Sequence, residues 1–120
     1  MARSYQDLLA KAREQVPEVQ VADLAARREA GDAPVVIDVR EQAEWDEGHI
    51  PGSVHIPYAH LVDRLQELPR DRAIATMCSG GKRSGLAASL LQREGYDSVI
   101  HVGHGGVGTW QRNGHPVESG

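Results

Sequence analysis

The chain has 120 residues, 40% of them hydrophobic and 25% charged, which suits one compact domain that buries its own core without staples. A formal net charge of −4 argues against a general nucleic-acid surface, which needs a basic excess, and no run approaches the roughly 20 apolar residues of a membrane span. One cysteine excludes an intramolecular disulfide, and the N-terminus opens on an amphipathic stretch rather than an apolar leader, so the expected location is cytoplasmic.

Taken in chain order, Ser4 to Gln15 is predicted as a helix, with Ser4 as N-cap, Leu8, Leu9 and Ala12 on one face, and Pro17 closing it. Val19 to Val21 carries a short strand signal, and Asp23 to Ala30 a helix stopped by Gly31. Val35-Val36-Ile37 is a continuous β-branched run suited to a strand covered on both faces. The stretch from Glu41 to Gly52 is predicted as loop, followed by a short strand around Val54 to Ile56. Leu61, Leu65 and Leu68 sit at helical spacing between His60 and Pro69. Ile74 to Met77 is the next strand, Ser84 to Glu94 a helix with Leu86, Leu90 and Leu91 inward, and Val99 to Val102 the last strand. A short helix presenting Trp110 is expected between Gly105 and Gly114. Strands alternating with helices over short connections imply a mainly parallel α/β sheet with helices on both faces, and ligands then bind beyond the carboxyl ends of the strands.

The feature with chemical content is Cys78-Ser79-Gly80-Gly81-Lys82-Arg83-Ser84, which follows the strand at Met77 and leads into the next helix. The first N–H groups of a helix lack intrahelical partners and carry the positive end of its dipole. Gly80 and Gly81 let the loop curl until these amides face a common centre, which makes a nest for an anion. A free thiol has a pKa of roughly 8.5, and such a site with cations beside it lowers the value to about 3.5–7.5. Lys82 and Arg83 are expected to stabilise the thiolate and attract an anionic donor. The bland role of a free cysteine is that of a small buried hydrophobe, but such a residue needs neither the glycines nor the cations.

Four segments together resemble the successive signatures of a single rhodanese (sulfurtransferase) domain. They are Val36-Ile37-Asp38-Val39-Arg40; Glu44-Trp45 with Gly48-His49-Ile50-Pro51-Gly52-Ser53; the Cys78 loop; and Gly105-Gly106 with Trp110 and Gly114-His115-Pro116-Val117. The resemblance runs from about Val19 to Val117 and implies a rhodanese-like three-layer α/β fold with a mainly parallel five-stranded sheet. On that basis residues 18–120 form the rhodanese-like domain and residues 1–17 an N-terminal helix extension. The resemblance further implies that Cys78 takes a sulfane sulfur from thiosulfate, a persulfide or a polysulfide, holds it as a persulfide, and passes it to cyanide, a thiol or a partner protein. Ser79, Gly80, Gly81, Lys82, Arg83 and Ser84 would bind the donor. Ser79 stands where many thiosulfate-using members carry an arginine. No cofactor is implied, and neither nucleic acid nor membrane is expected as a partner.

The remaining residues have structural readings. Asp38 and Arg40 close a buried strand, where a carboxylate ties down neighbouring amides and a cation in support of the site. His49 to Gly52 forms a turn near the sheet rim. His101 and His104 are the closest pair among six histidines, but no further ligand completes a zinc set of three or four, so no metal is expected. Trp45 and Trp110 have no basic stripe beside them and serve packing. Two other functions use the same loop. A persulfide carrier or partner-binding module would load sulfur without turnover. A cysteine phosphatase resembles Cys, five residues, Arg, whereas four residues separate Cys78 from Arg83, and the tighter ring suits a terminal sulfur better than a phosphoryl group.

Overall fold

The computed structural model describes residues 16–103 and 105–120. The helix expected over Ser4 to Gln15, and His104, lie outside the described residues. Five strands form one parallel sheet: β1 (Glu18–Val19), β2 (Val35–Asp38), β3 (Val54–His55), β4 (Ile74–Met77) and β5 (Val99–Val102), in the order β1-β5-β4-β2-β3. Central β4 is buried along its whole length, with Val36 opposite Ala75 on one side and Thr76 opposite His101 on the other.

Alternate residues of each strand feed opposite faces, as the two-residue period of a strand requires. Ile37 and Ile74 join a core with Leu61, Leu68, Ala87, Ala88, Leu91 and Tyr96. Val36, Ala75 and Met77 join a second core with Val21, Leu24, Val102, Val107 and Trp110. The first face is covered by helix α3 (Lys82–Arg93) and by two 3-10 turns, Tyr58–His60 and Val62–Glu67. The second is covered by α1 (Val21–Glu29) and α4 (Gly106–Arg112). Each fully buried Leu or Ile contributes about 1.5–3 kcal/mol, so both faces are held chiefly by apolar burial. The result is a three-layer α/β domain, and no helix among the described residues is long and apolar enough to cross a membrane.

Several elements differ from the sequence expectation. Val21 opens α1 instead of closing a strand, because Gln20 is the N-cap and its amide bonds to the Asp23 carboxylate. The segment expected to be loop after Glu41 contains α2 (Gln42–Glu47), started by a reciprocal cap in which the Glu41 amide donates to Glu44 Oε1 at 3.0 Å. The segment from His60 to Leu68 is 3-10 rather than α-helical, with Arg64 at φ −120° breaking the run, yet Leu61 and Leu68 still reach the core. Helix α3 begins at Lys82, two residues earlier than expected, so Lys82, Arg83 and Ser84 of the loop lie in its first turn.

Candidate active site

β4 ends at Met77, and Cys78 stands just beyond it at the carboxyl edge of the sheet, 1% exposed and not in a disulfide. The chain turns back into α3 through Gly81, which sits at φ +94° as the helix N-cap, a left-handed conformation that glycine adopts without a Cβ penalty. That turn points the Gly81 N–H at Cys78 Sγ, 3.0 Å away. Cys78 Sγ donates to Ser84 Oγ at 3.6 Å, Ser84 Oγ in turn donates to the Val102 carbonyl, and the Ser84 carbonyl accepts from Thr76 Oγ1 at 2.8 Å. The sulfur's surroundings are therefore fixed by β4 and by its neighbour β5. Ser79 and Gly80 are exposed, and the Cβ position of Gly80 faces open space, so the loop has a mouth to solvent.

Burial pushes the Cys78 thiol up, but its hydrogen bond with the Ser84 side chain and those from the amides of Ser84, Gly80 and Gly81 outweigh it, and the thiol titrates below its ordinary value. The Ser84 side chain and the oriented amides stabilise the thiolate, and the charge of Arg83 interacts with it. Because the folded pKa is depressed, the associated stability is fully present above the unfolded thiol's pKa and is lost as pH falls through the folded one. Ultraviolet titration of the thiolate is expected to show a midpoint for the folded protein below that of the same chain in urea; coincident midpoints would remove the thiolate argument.

Arg83 is committed to a partner from another element. Its Nη1 and Nη2 donate to the two Glu44 carboxylate oxygens at 2.7 and 3.0 Å, and Nη2 also donates to Ser79 Oγ at 2.9 Å. Glu44 stands in the first turn of α2, and the Arg83 hydrogen bonds lower its carboxyl to about 2 against the opposing effect of burial, helped by the Glu41 amide and by Arg40. The pair is ionised throughout the neutral range. Lys82 is exposed at the start of α3.

Asp38 and Arg40 do not touch the sulfur; they brace the edge beside it. Asp38 Oδ1 accepts from the Arg40 amide and Nε at 3.1 and 2.9 Å, Oδ2 accepts from Nη2 at 2.8 Å, and Nη2 also donates to the Gly48 carbonyl at 2.7 Å. Both side chains are buried, so each charge depends on the other. The Arg40 carbonyl holds His55 Nε2 at 2.8 Å, and the His55 and His49 rings stack on Trp45. Trp110 is core, its Nε1 donating to the Pro116 carbonyl. Among the described residues no group of three or more His, Cys, Asp or Glu could hold a metal.

Two residues that the sequence reading left without a role bear directly on the loop. Glu44 fell in the stretch expected to be loop; its one local signal is the Glu41 and Glu44 cap spacing, and nothing local connects it with Arg83, 39 positions away. Gly106 opens α4 at φ +43°, and a Cβ there would collide with the Cys78 carbonyl, which accepts from the Val107 amide at 3.3 Å. α4 is thus pressed onto the backbone of the cysteine loop.

A buried thiol facing backbone amides, where a parallel strand gives way to a helix, defines a cysteine-based anion cradle. The chain belongs to the rhodanese-like domain family, whose pattern it matches over residues 20–113. It is similar to a sulfurtransferase of Allochromatium vinosum, 31% identical over 102 residues, covering 85% of this chain and 94% of that one. It is also 33% identical over 87 residues to the Bacillus subtilis protein YrkF, assigned provisionally as a sulfur carrier; the match covers 72% of this chain and 47% of YrkF, so the chain spans about half the length of that relative. Among solved structures, a Rhodopseudomonas palustris protein of unknown function, described as a possible tyrosine phosphatase, superposes with a TM-score of 0.86 at 28% identity, covering 98% of this chain and 96% of that one.

Proposed function

We propose that this domain is a sulfurtransferase that carries sulfane sulfur as a persulfide on Cys78. The observation that carries the reading is the Gly81 amide aimed at Cys78 Sγ within a loop whose hydrogen bonds lower the thiol's pKa. The thiolate attacks the outer sulfur of a donor such as thiosulfate; the new S–S bond forms as the donor's bond to its oxidised sulfur breaks, and sulfite leaves with the electron pair. A persulfide or polysulfide donor loses a thiolate or a shorter polysulfide in the same way. The terminal sulfur of the persulfide then carries the negative charge, and the amides from Gly80 to Ser84 stabilise it through oriented dipoles, an arrangement of the oxyanion-hole type. A thiol, cyanide or a cysteine on a partner protein takes the sulfur in the second half-reaction, so ping-pong kinetics are expected. Ser79, Gly80, Gly81, Lys82, Arg83 and Ser84 form the donor site, and Asp38 with Arg40 supports it from the neighbouring strand. The protein works in the cytoplasm under this reading.

The test is intact mass. Incubation with thiosulfate, a polysulfide or a low-molecular-weight persulfide is expected to add one sulfur atom to the protein, removable by cyanide or a reductant; a free thiol that stays unmodified with every donor overturns the reading. A module that only carries sulfur would load stoichiometrically but show no multiple turnover with an added acceptor. Arg83→Ala leaves the Glu44 charge uncompensated beside the loop and is expected to raise the KM for thiosulfate about tenfold, equivalent to about 1.4 kcal/mol, with a smaller fall in kcat. The reverse split would move the work of Arg83 into the transition state. The phosphatase description of the Rhodopseudomonas palustris relative is less favoured for this chain, because only four residues separate Cys78 from Arg83 and Glu44 already holds that arginine. Hydrolysis of an aryl phosphate that disappears in Cys78→Ser would reverse that preference.

A further inference from the structure

We propose that Glu44 is a specificity-determining residue that sets this site against doubly charged sulfur donors and in favour of singly charged ones. The proposal rests on the sulfur-transfer reading above and concerns the donor at the same site.

Arginine recognises a sulfonate or sulfate group through two parallel N–H bonds, made along the Nη1/Nη2 edge or the Nε/Nη2 edge of the guanidinium. In Arg83 both edges are already engaged. Glu44 spans the Nη1/Nη2 edge with both carboxylate oxygens, and the second hydrogen of Nη2 goes to Ser79 Oγ, which leaves the other edge with a single available donor at Nε. A trigonal SO3 end arriving at the loop therefore finds no forked contact on Arg83 unless Glu44 or Ser79 gives way. Ser79 belongs to the residue right after Cys78, so the guanidinium stands at the rim of the reacting loop, and its charge is felt at the sulfur.

The charge balance points the same way. Glu44 cancels the positive charge of Arg83 at the rim, and Glu41, one turn earlier at the cap of α2, adds a second acid close enough to act on the Arg83 charge. Lys82 remains as the exposed cation of the loop. With the guanidinium neutralised by Glu44, the mouth offers no net positive charge to offset the hydration that the second charge of a dianion sheds on entering, whereas a monoanion gives up less. One unit of charge at the rim, partly screened by solvent, corresponds to about a fivefold to tenfold difference in kcat/KM.

Thiosulfate and methanethiosulfonate make a matched pair of probes. Both present a terminal sulfane sulfur to Cys78; attack forms the Cys78 S–S bond and releases sulfite from the first or methanesulfinate from the second, so the chemistry is shared and the donors differ by one charge. Glu44→Gln keeps the size of the side chain and removes its charge, and the ratio of kcat/KM for thiosulfate to that for methanethiosulfonate is expected to rise about fivefold to tenfold. Glu44→Asp keeps the charge and should leave the ratio within about twofold of the unaltered protein. An unmoved ratio in Glu44→Gln, or an equal rise in Glu44→Asp, overturns the proposal. A second measurement needs no variant. With each donor's rate normalised to its reaction with a small free thiol, the native protein should prefer the monoanion, and a preference for thiosulfate overturns the proposal even if a substitution disturbs folding. Normal persulfide formation with an unmoved ratio defeats Glu44 alone, whereas absence of any sulfur gain on Cys78 from either donor defeats the sulfur-transfer reading and this proposal together.

Discussion

Cys78→Ser is expected to reduce sulfur transfer to the buffer background, a loss on the order of 10³-fold or more, as for other nucleophiles acting covalently. The substitution separates chemistry from folding. The Gly81 amide would still find an acceptor at the position of Sγ, and Ser84 and Thr76 would keep their bonds to Val102 and to the loop. A serine hydroxyl, however, is not ionised at neutral pH and cannot hold a transferable sulfur. Thermal unfolding should therefore change little, while the one-sulfur mass gain and sulfite release from thiosulfate both vanish. Residual turnover above background in a folded variant would place the reacting sulfur elsewhere.

Gly106→Ala is expected to destabilise the domain by about 2–5 kcal/mol. About 1–2 kcal/mol comes from forcing an alanine into a left-handed conformation, and about 1–3 kcal/mol from overpacking against a neighbour that cannot rotate away. The neighbour is backbone: the added methyl meets the Cys78 carbonyl, with Ser79 Cα at 3.1 Å behind it. Domains of this kind have only about 5–15 kcal/mol to lose. Relief requires α4 to withdraw, which stretches the Val107 bond to the same carbonyl and carries the cysteine loop with it. Denaturant unfolding measures the loss, and the thiolate titration of the surviving folded fraction should move back toward the ordinary thiol value. Gly80→Ala is the matched control. Its Cβ would meet nothing within 4 Å, and stability should stay within about 0.5 kcal/mol. Equal effects at Gly80 and Gly106 would mean that close packing of α4 on the loop is not what requires a glycine.

The contrast between these two glycines shows where sequence reading ends. Gly80 lies in a loop whose glycines, cations and cysteine are contiguous, so the cradle was legible from seven adjacent residues. Gly106 was legible as a helix-starting glycine, but its demand comes from a carbonyl 28 positions earlier. The strands behave similarly. Ile74–Met77 and Val99–Val102 were read to the residue, because buried parallel strands are continuous apolar runs and need no partner to be recognised. The helix at Gln42–Glu47 was missed, since its six residues bury no side chain fully and offer no apolar periodicity; only the Glu41 and Glu44 cap announces it. The leucine spacing of His60 to Leu68 suggested an α-helix, and the contacts to the core were right while the winding was not. Two tight turns, the second broken at Arg64, still deliver Leu61 and Leu68 inward.

Local chemistry along the chain determined the alternating α/β pattern, the parallel sheet, and a thiol followed by amides that converge on it, because these depend on dihedral preference, side-chain period and residues within one turn of each other. Only the folded chain decided what those groups meet. The closing of α2 against the loop gave Arg83 to Glu44, and the seating of α4 put the Cys78 carbonyl where Gly106 must stay bare. Such pairings are set by how separate elements pack on the two faces of the sheet, and no property of either residue's neighbours in sequence encodes them.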